Sequence, residues 1–143
     1  MSSVYAETSA ILAWLFGEST SVWVAAAIDG AETVFTSALT ALEVRRSLIR
    51  AEYTRSITAA SSAHLQGVFE IVSRAWVVME ITPEVQSRAA LRFPVEPIRS
   101  LAAIHLATAL ELLRVAEDLR LLTLDKRVAD NLEPLGIRPV AAM

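Results

Sequence analysis

The chain has 143 residues, 54% apolar and 20% charged, with a formal net charge of −3 and no cysteine. This excludes a disordered chain, a disulfide framework, a thiolate metal site and a cysteine nucleophile, and it suits one domain, 1–143, with a real core. The low net charge also argues against a protein that grips nucleic acid by overall charge alone, although every basic residue except Lys126 is an arginine, the side chain suited to bidentate contact with phosphate.

Val4-Tyr5-Ala6 reads as a short strand ending at Glu7, and Thr8-Ser9 offers an N-cap to an apolar helix from Ala10 to Phe16, closed by Gly17. Ser19 and Ser21 introduce a second helix through Trp23 and Ile28, stopped at Asp29-Gly30. Thr33 to Thr36 is the second strand, and Ser37 caps a long helix to about Tyr53. A further helix spans about Ser56 to Arg74, followed by a third strand from Trp76 to Ile81. Thr82-Pro83-Glu84 is a helix start with Pro at its first position, and that helix ends before Pro94. Pro97 and Ser100 open the small-residue helix S-L-A-A-I-H-L-A-T-A-L. Leu121 to Leu124 is the fourth strand, ending at Asp125. A last helix runs from Lys126 to about Leu135, stops at Gly136, and leads to an edge strand, Ile137 to Val140, where Pro is tolerated. Short apolar strands alternating with helices predict a parallel sheet covered by helices, an α/β domain. No stretch reaches the roughly 18 apolar residues of a membrane span. M-S-S-V-Y-A-E carries no basic leader, so the expectation is a cytoplasmic protein with no membrane partner.

In such sheets, sites form at the carboxyl ends of the strands. Glu7 follows the first predicted strand and Asp125 the fourth. Glu43 lies in the helix after the second, among Leu39, Leu42 and Val44. Singly, each has a plainer reading. Glu7 and Asp125 suit caps or helix-dipole partners, and Glu43 has the spacing to pair with Arg46 or Arg50. Together they form a possible acidic edge, where repulsion is unfavourable without a cation. Clustered oxygens without His or Cys suit Mg²⁺ or Mn²⁺. No G-x-x-x-x-G-K-[ST] loop and no G-x-G-x-x-G occur, which speaks against a nucleotide cofactor. A phosphatase on another doubly wound fold is disfavoured because no D-x-D follows the first strand.

At these residues the chain resembles PIN-domain proteins, and more narrowly the VapC toxins of bacterial toxin–antitoxin pairs. Y-A-E-T-S-A-I-L-A-W-L matches the family's opening strand and acidic turn, with Glu7 at the acidic position. S-A-L-T-A-L-E-V-R-R-S-L matches its helical Glu, here Glu43. R-S-L-A-A-I-H-L-A-T-A-L from Arg99 matches a phrase that carries an Asp where this chain has Ala102. T-L-D-K-R, Thr123 to Arg127, matches the final T-x-D and basic pair.

The resemblance implies a three-layer α/β/α fold with a short parallel sheet of four to five strands. It also implies metal-dependent hydrolysis of RNA phosphodiester bonds, with Mg²⁺ or Mn²⁺ on Glu7, Glu43 and Asp125, and Ser9 and Thr123 orienting those ligands. Glu7 in place of Asp is a mild departure. Ala102 in place of Asp removes a ligand and a charge, and so implies a weakened or inactive centre. The competing reading is a non-catalytic PIN-like module that binds RNA or protein. His105 reads as a packed, hydrogen-bonded residue, Asp130 as solvated and Asn131 as a later candidate. Arg99, Lys126 and Arg127 are candidate phosphate contacts beside the motifs. The partners implied are an RNA substrate, a VapB-like antitoxin whose C-terminal segment lies near the helices carrying Trp14, Phe16 and Trp23, and a second copy in a homodimer.

Overall fold

The structure is a computed structural model that describes residues 2–141; Met1, Ala142 and Met143, part of the predicted domain, lie outside the described residues. In chain order the elements are β1 (Ser3–Ala6), α1 (Thr8–Leu15), α2 (Ser21–Gly30), β2 (Thr33–Ser37), α3 (Ala38–Tyr53), α4 (Ala59–Ser73), β3 (Val77–Met79), α5 (Pro83–Ala89), α6 (Ser100–Leu113), β4 (Arg120–Leu122), α7 (Lys126–Leu135) and β5 (Arg138–Pro139). The strands form one sheet in the order β3-β2-β1-β4-β5, every pairing parallel. The expected α/β/α fold with a parallel sheet is therefore present, with five strands.

Strand alternation sends successive side chains to opposite faces. Val4, Ala6, Val34 and Leu122 join one core with Ile11, Val24, Val44, Leu48 and Phe69 from α1 to α4. Tyr5 and Leu121 join the other with Leu106, Leu112, Val128 and Leu132 from α6 and α7. Each fully buried Leu contributes about 1.5–3 kcal/mol relative to exposure. The small residues of α6 let it lie close on the sheet: Ala103, Ala107 and Ala109 are buried, and so is His105 between them.

Several boundaries differ from the sequence reading. The N-cap of α1 is Glu7, whose side chain accepts from the Ser9 amide, rather than Thr8 or Ser9. A carboxylate one residue earlier satisfies an orphan amide of the first turn. α4 starts at Ala59 behind a Thr58 cap, not near Ser56, because residues 54–57 turn through Arg55, which has a positive φ of 62°. β3 has three residues rather than six; Trp76 instead packs into the first core, edge-on to Phe69. β4 ends at Leu122, so Asp125 stands beyond the strand as the N-cap of α7. The start of α5 at Thr82-Pro83 and the left-handed stop at Gly136 (φ 75°) are as expected. No helix among the described residues is long and apolar enough to cross a membrane.

Candidate active site

The strand order runs outward from β1 to β2 and β3, then jumps back across β1 to β4. Ligand crevices open at this switch point, at the carboxyl ends of the strands. A pocket of about 560 Å³ lies there, lined by Glu7, Glu43, Ile98, Arg99, Ser100, Leu101, Ala102, His105 and Asp125. A concavity of similar volume along α3, between Arg46, Arg50 and Tyr53, has no carboxylate in its lining.

Glu7 is carried to the crevice by the β1 ladder, its amide donating to Leu122 O at 3.0 Å. It is almost fully buried. Its Oε1 accepts from the hydroxyls of Ser9 and Thr123, and its Oε2 from the Ser9 amide. Those two hydroxyls accept in turn, Ser9 Oγ from Leu124 N at 2.8 Å and Thr123 Oγ1 from Asp125 N at 3.0 Å. Ser9 and Thr123 thereby stitch the β1–α1 corner to the β4–α7 corner around one carboxylate. Asp125 caps α7, its Oδ1 accepting from Arg127 N at 2.9 Å and Val128 N at 3.3 Å.

Glu43 does not pair with Arg46 or Arg50. Its Oε1 lies 2.6 Å from His105 Nε2 and accepts from Thr8 Oγ1 at 2.7 Å. The other imidazole nitrogen, Nδ1, is 2.7 Å from the Tyr5 hydroxyl. Burial pushes the Glu43 carboxyl up, but hydrogen bonds from His105 and Thr8 and the attraction of His105 outweigh it, leaving the group below its ordinary 4.5. Burial, with the charge of Glu7 adding to it, holds the Tyr5 hydroxyl well above its ordinary value, so it is a neutral phenol. His105 is the buried, hydrogen-bonded residue expected, yet it also lines the pocket and grips one of its acids. Thr8 and Tyr5 are site-supporting residues that a reading of local pattern passed over. The signal was a Tyr at the centre of a buried strand, whose hydroxyl must find a partner.

The expected basic and polar neighbours divide. Arg99 lines the pocket. Lys126 is exposed and pairs with Asp130 at 2.9 Å, so Asp130 is the solvated residue expected. Arg127 donates to Pro97 O at 2.9 Å. Asn131, buried at 0% exposure, is no pocket residue: its amide accepts from Val95 N at 2.8 Å and donates to Val95 O at 2.9 Å. With Glu96, which accepts from the amides of Phe93 and Ile98, it holds the 93–99 strap that leads into Arg99. Of the aromatics on the first helices, Trp14 and Trp23 pack against the first core, while Phe16 is 37% exposed.

The acids bring an all-oxygen donor set suited to a hard cation. They do not form the joint cage that the motif spacing suggests: among the described residues, no three His, Asp or Glu side chains are grouped to hold a metal ion. The physical reason is that each acid is drawn to protein donors, Glu7 to Ser9 and Thr123, Glu43 to His105 and Thr8, Asp125 to the α7 amides. Glu43 Oε2 and Asp125 Oδ2 carry no hydrogen bond among the described residues. Such a set suits Mg²⁺ or Mn²⁺, which keeps several waters among its ligands, with Ala102 supplying nothing where a fourth acid would stand.

A PIN domain family model matches residues 4–132, spanning all three acids and Ala102. The chain is also 34% identical over 140 residues to ribonuclease VapC35 of Mycobacterium tuberculosis, strains CDC 1551 and H37Rv, covering 96% of each protein. Parallel sheet, switch-point crevice, family match and end-to-end alignment agree, and the chain belongs to the PIN-domain family.

Proposed function

We propose that this chain is an endoribonuclease of the VapC toxin type that hydrolyses RNA phosphodiester bonds in the switch-point pocket. The observation that carries the reading is that Glu7, Glu43 and Asp125, from three separate elements, line one pocket in a chain that aligns over 96% of its length with a VapC ribonuclease. We take these three acids as the residues that would hold Mg²⁺ or Mn²⁺. The ion, when bound, lowers the pKa of a bound water and neutralises charge on the phosphate.

The chain's own contribution is orientation. Ser9 and Thr123 aim Glu7, while His105 and Thr8 aim Glu43; such supporting bonds fix ligand geometry. Arg99, which lines the pocket, would meet an RNA phosphate by charge-assisted hydrogen bonds. The partners proposed with this activity are a VapB-like antitoxin and a second copy of the chain, the latter tested by light scattering, where a monomer at micromolar concentration would exclude the homodimer. One observation favours a second reading, a non-catalytic binding module: Ala102 stands where the family carries an acid.

The deciding experiment is cleavage of a long RNA by the purified chain in Mn²⁺ or Mg²⁺, beside Ala102→Asp and Glu43→Gln. Cleavage abolished by EDTA and by Glu43→Gln supports the nuclease with three acids. Cleavage by Ala102→Asp alone supports a nuclease fold whose centre has lost an acid. No cleavage by either, with no heat of metal binding, hands the function to the binding module.

A further inference from the structure

Glu43, on a helix of the first core, is held by a side chain from a helix of the second. His105 comes from α6, 62 positions away in the chain, and is itself held by Tyr5 of β1, 100 positions away. Tyr5 is 0% and His105 1% exposed, and each meets its partner directly, at 2.7 Å between Tyr5 and His105 and 2.6 Å between His105 and Glu43. Their rings meet edge-on, centroids 5.9 Å apart at 71°, which fixes the plane of the imidazole.

We propose that Tyr5 and His105 are a buried positioning pair that commits Oε1 of Glu43 and leaves Oε2 as the single oxygen Glu43 offers to an ion in the pocket, an inference that rests on the ribonuclease reading above. Nε2 and a carboxylate oxygen 2.6 Å apart need a hydrogen between them; an ionised carboxylate only accepts, so we assign the hydrogen to Nε2. Nδ1 then either accepts from the Tyr5 hydroxyl or, in a doubly protonated ring, donates to its oxygen. Both arrangements keep Nε2–H on Glu43, so the geometry does not depend on the charge of the ring. Thr8 Oγ1 supplies the second donor to the same Oε1 at 2.7 Å. Two donors on one oxygen select the carboxylate rotamer and leave Oε2 without a hydrogen bond among the described residues. Glu7 contrasts, with protein donors on both oxygens. With Ala102 removing one acid, the direction of the remaining free oxygens matters more to an ion that binds few protein ligands.

The test uses the full chain, with and without Ala102→Asp, and Mn²⁺ alone as the probe, free Mn²⁺ being read by electron paramagnetic resonance. Loss of such an outer hydrogen bond weakens metal affinity about 10–100-fold. His105→Leu should show that loss. His105→Gln, which keeps an N–H donor of similar reach, should recover most of it, and Tyr5→Phe should give a smaller loss with its packing retained. A purely structural role predicts instead that Mn²⁺ affinity follows the thermal midpoint across the three variants, with no rescue by Gln. Unchanged Mn²⁺ affinity in His105→Leu, or in Tyr5→Phe where the Leu variant does not fold, overturns the proposal. The imidazole ¹⁵N spectrum decides the pair independently of any metal: hydrogen on Nε2, with a downfield proton lost in Glu43→Gln, sustains it, and a bare Nε2 overturns it. A parent chain that neither binds Mn²⁺ nor cleaves RNA in either background sinks the ribonuclease reading, while that spectrum still rules on the pair.

Discussion

Replacing Asn131 by Ala tests whether one buried amide holds the pocket's outer wall. Its Oδ1 takes the Val95 amide at 2.8 Å, and its Nδ2 reaches Val95 O at 2.9 Å and Arg127 O at 3.0 Å. Two of these bonds cross from α7 to the strap. A typical net contribution is about 0.5–1.5 kcal/mol per bond, and the space left by a fully buried side chain adds about 1 kcal/mol. The expected cost is about 2–4 kcal/mol. A chain of this length unfolds with an entropy of about 0.3 kcal/mol/K, so the thermal midpoint should fall by about 7–13 °C. Asn131→Asp should cost at least as much, because it keeps the acceptor for Val95 N but turns a carboxylate oxygen against two carbonyls. Circular dichroism melts read the stability, and amide hydrogen exchange reads the strap. Exchange should speed up at Val95 and Ile98 in Asn131→Ala, and RNA affinity should fall as Arg99 loses its support. A midpoint within about 2 °C of the parent, or unchanged exchange at Val95, would refute the reasoning and leave the strap to Glu96 and Arg127.

Ala102→Asp adds an acid beside Glu7, Glu43 and Asp125, so in EDTA its melting midpoint should lie below the parent's through like-charge repulsion. Mn²⁺ should then raise it by more than it raises the parent, since an ion at 100 times its Kd stabilises by about 2.7 kcal/mol; equal metal shifts in the two proteins would count against a site at this edge. Thr123→Val removes the hydroxyl that donates to Glu7 and accepts from Asp125 N, and should cost about 1–3 kcal/mol, with Thr123→Ser recovering most of it in denaturant melts. Glu43 has its carboxyl lowered in the folded chain, so its contribution to stability is complete above the ordinary carboxylate value and is lost as pH falls through the folded one. The midpoint gap between the parent and Glu43→Gln should therefore narrow as pH falls through and below the ordinary carboxylate value of 4.5, and a gap constant over that fall would show that the pairing with His105 does not carry it.

What the sequence by itself determined was local or periodic. Thr82-Pro83 starts a helix because the cap hydroxyl and the missing Pro amide act within one turn. Gly136 stops one because its φ of 75° suits a residue without Cβ. The apolar run Val4-Tyr5-Ala6 marks a short strand, one that the fold buries on both faces. The order of such elements was enough for a parallel α/β sheet, and the strand ends were enough to locate Glu7 and the neighbourhood of Asp125. Only the tertiary structure decided what each polar side chain bonds to. Glu43 has arginines at helical spacing in the chain, yet it takes His105, because parallel crossovers bring α3 and α6 to the same crevice from 62 residues apart. Asn131 looked like a late member of the acidic set, but the return of the 93–99 strap over α7 buries it against Val95. Asp125 reads as the end of the fourth strand or as a cap, and only the cap holds, because β4 stops where its pairing with β1 does, at Ala6↔Leu122. Pattern reports which residues leave water; it does not report which donor and acceptor the fold brings within 3 Å, and in a buried crevice that pairing determines which oxygens stay free.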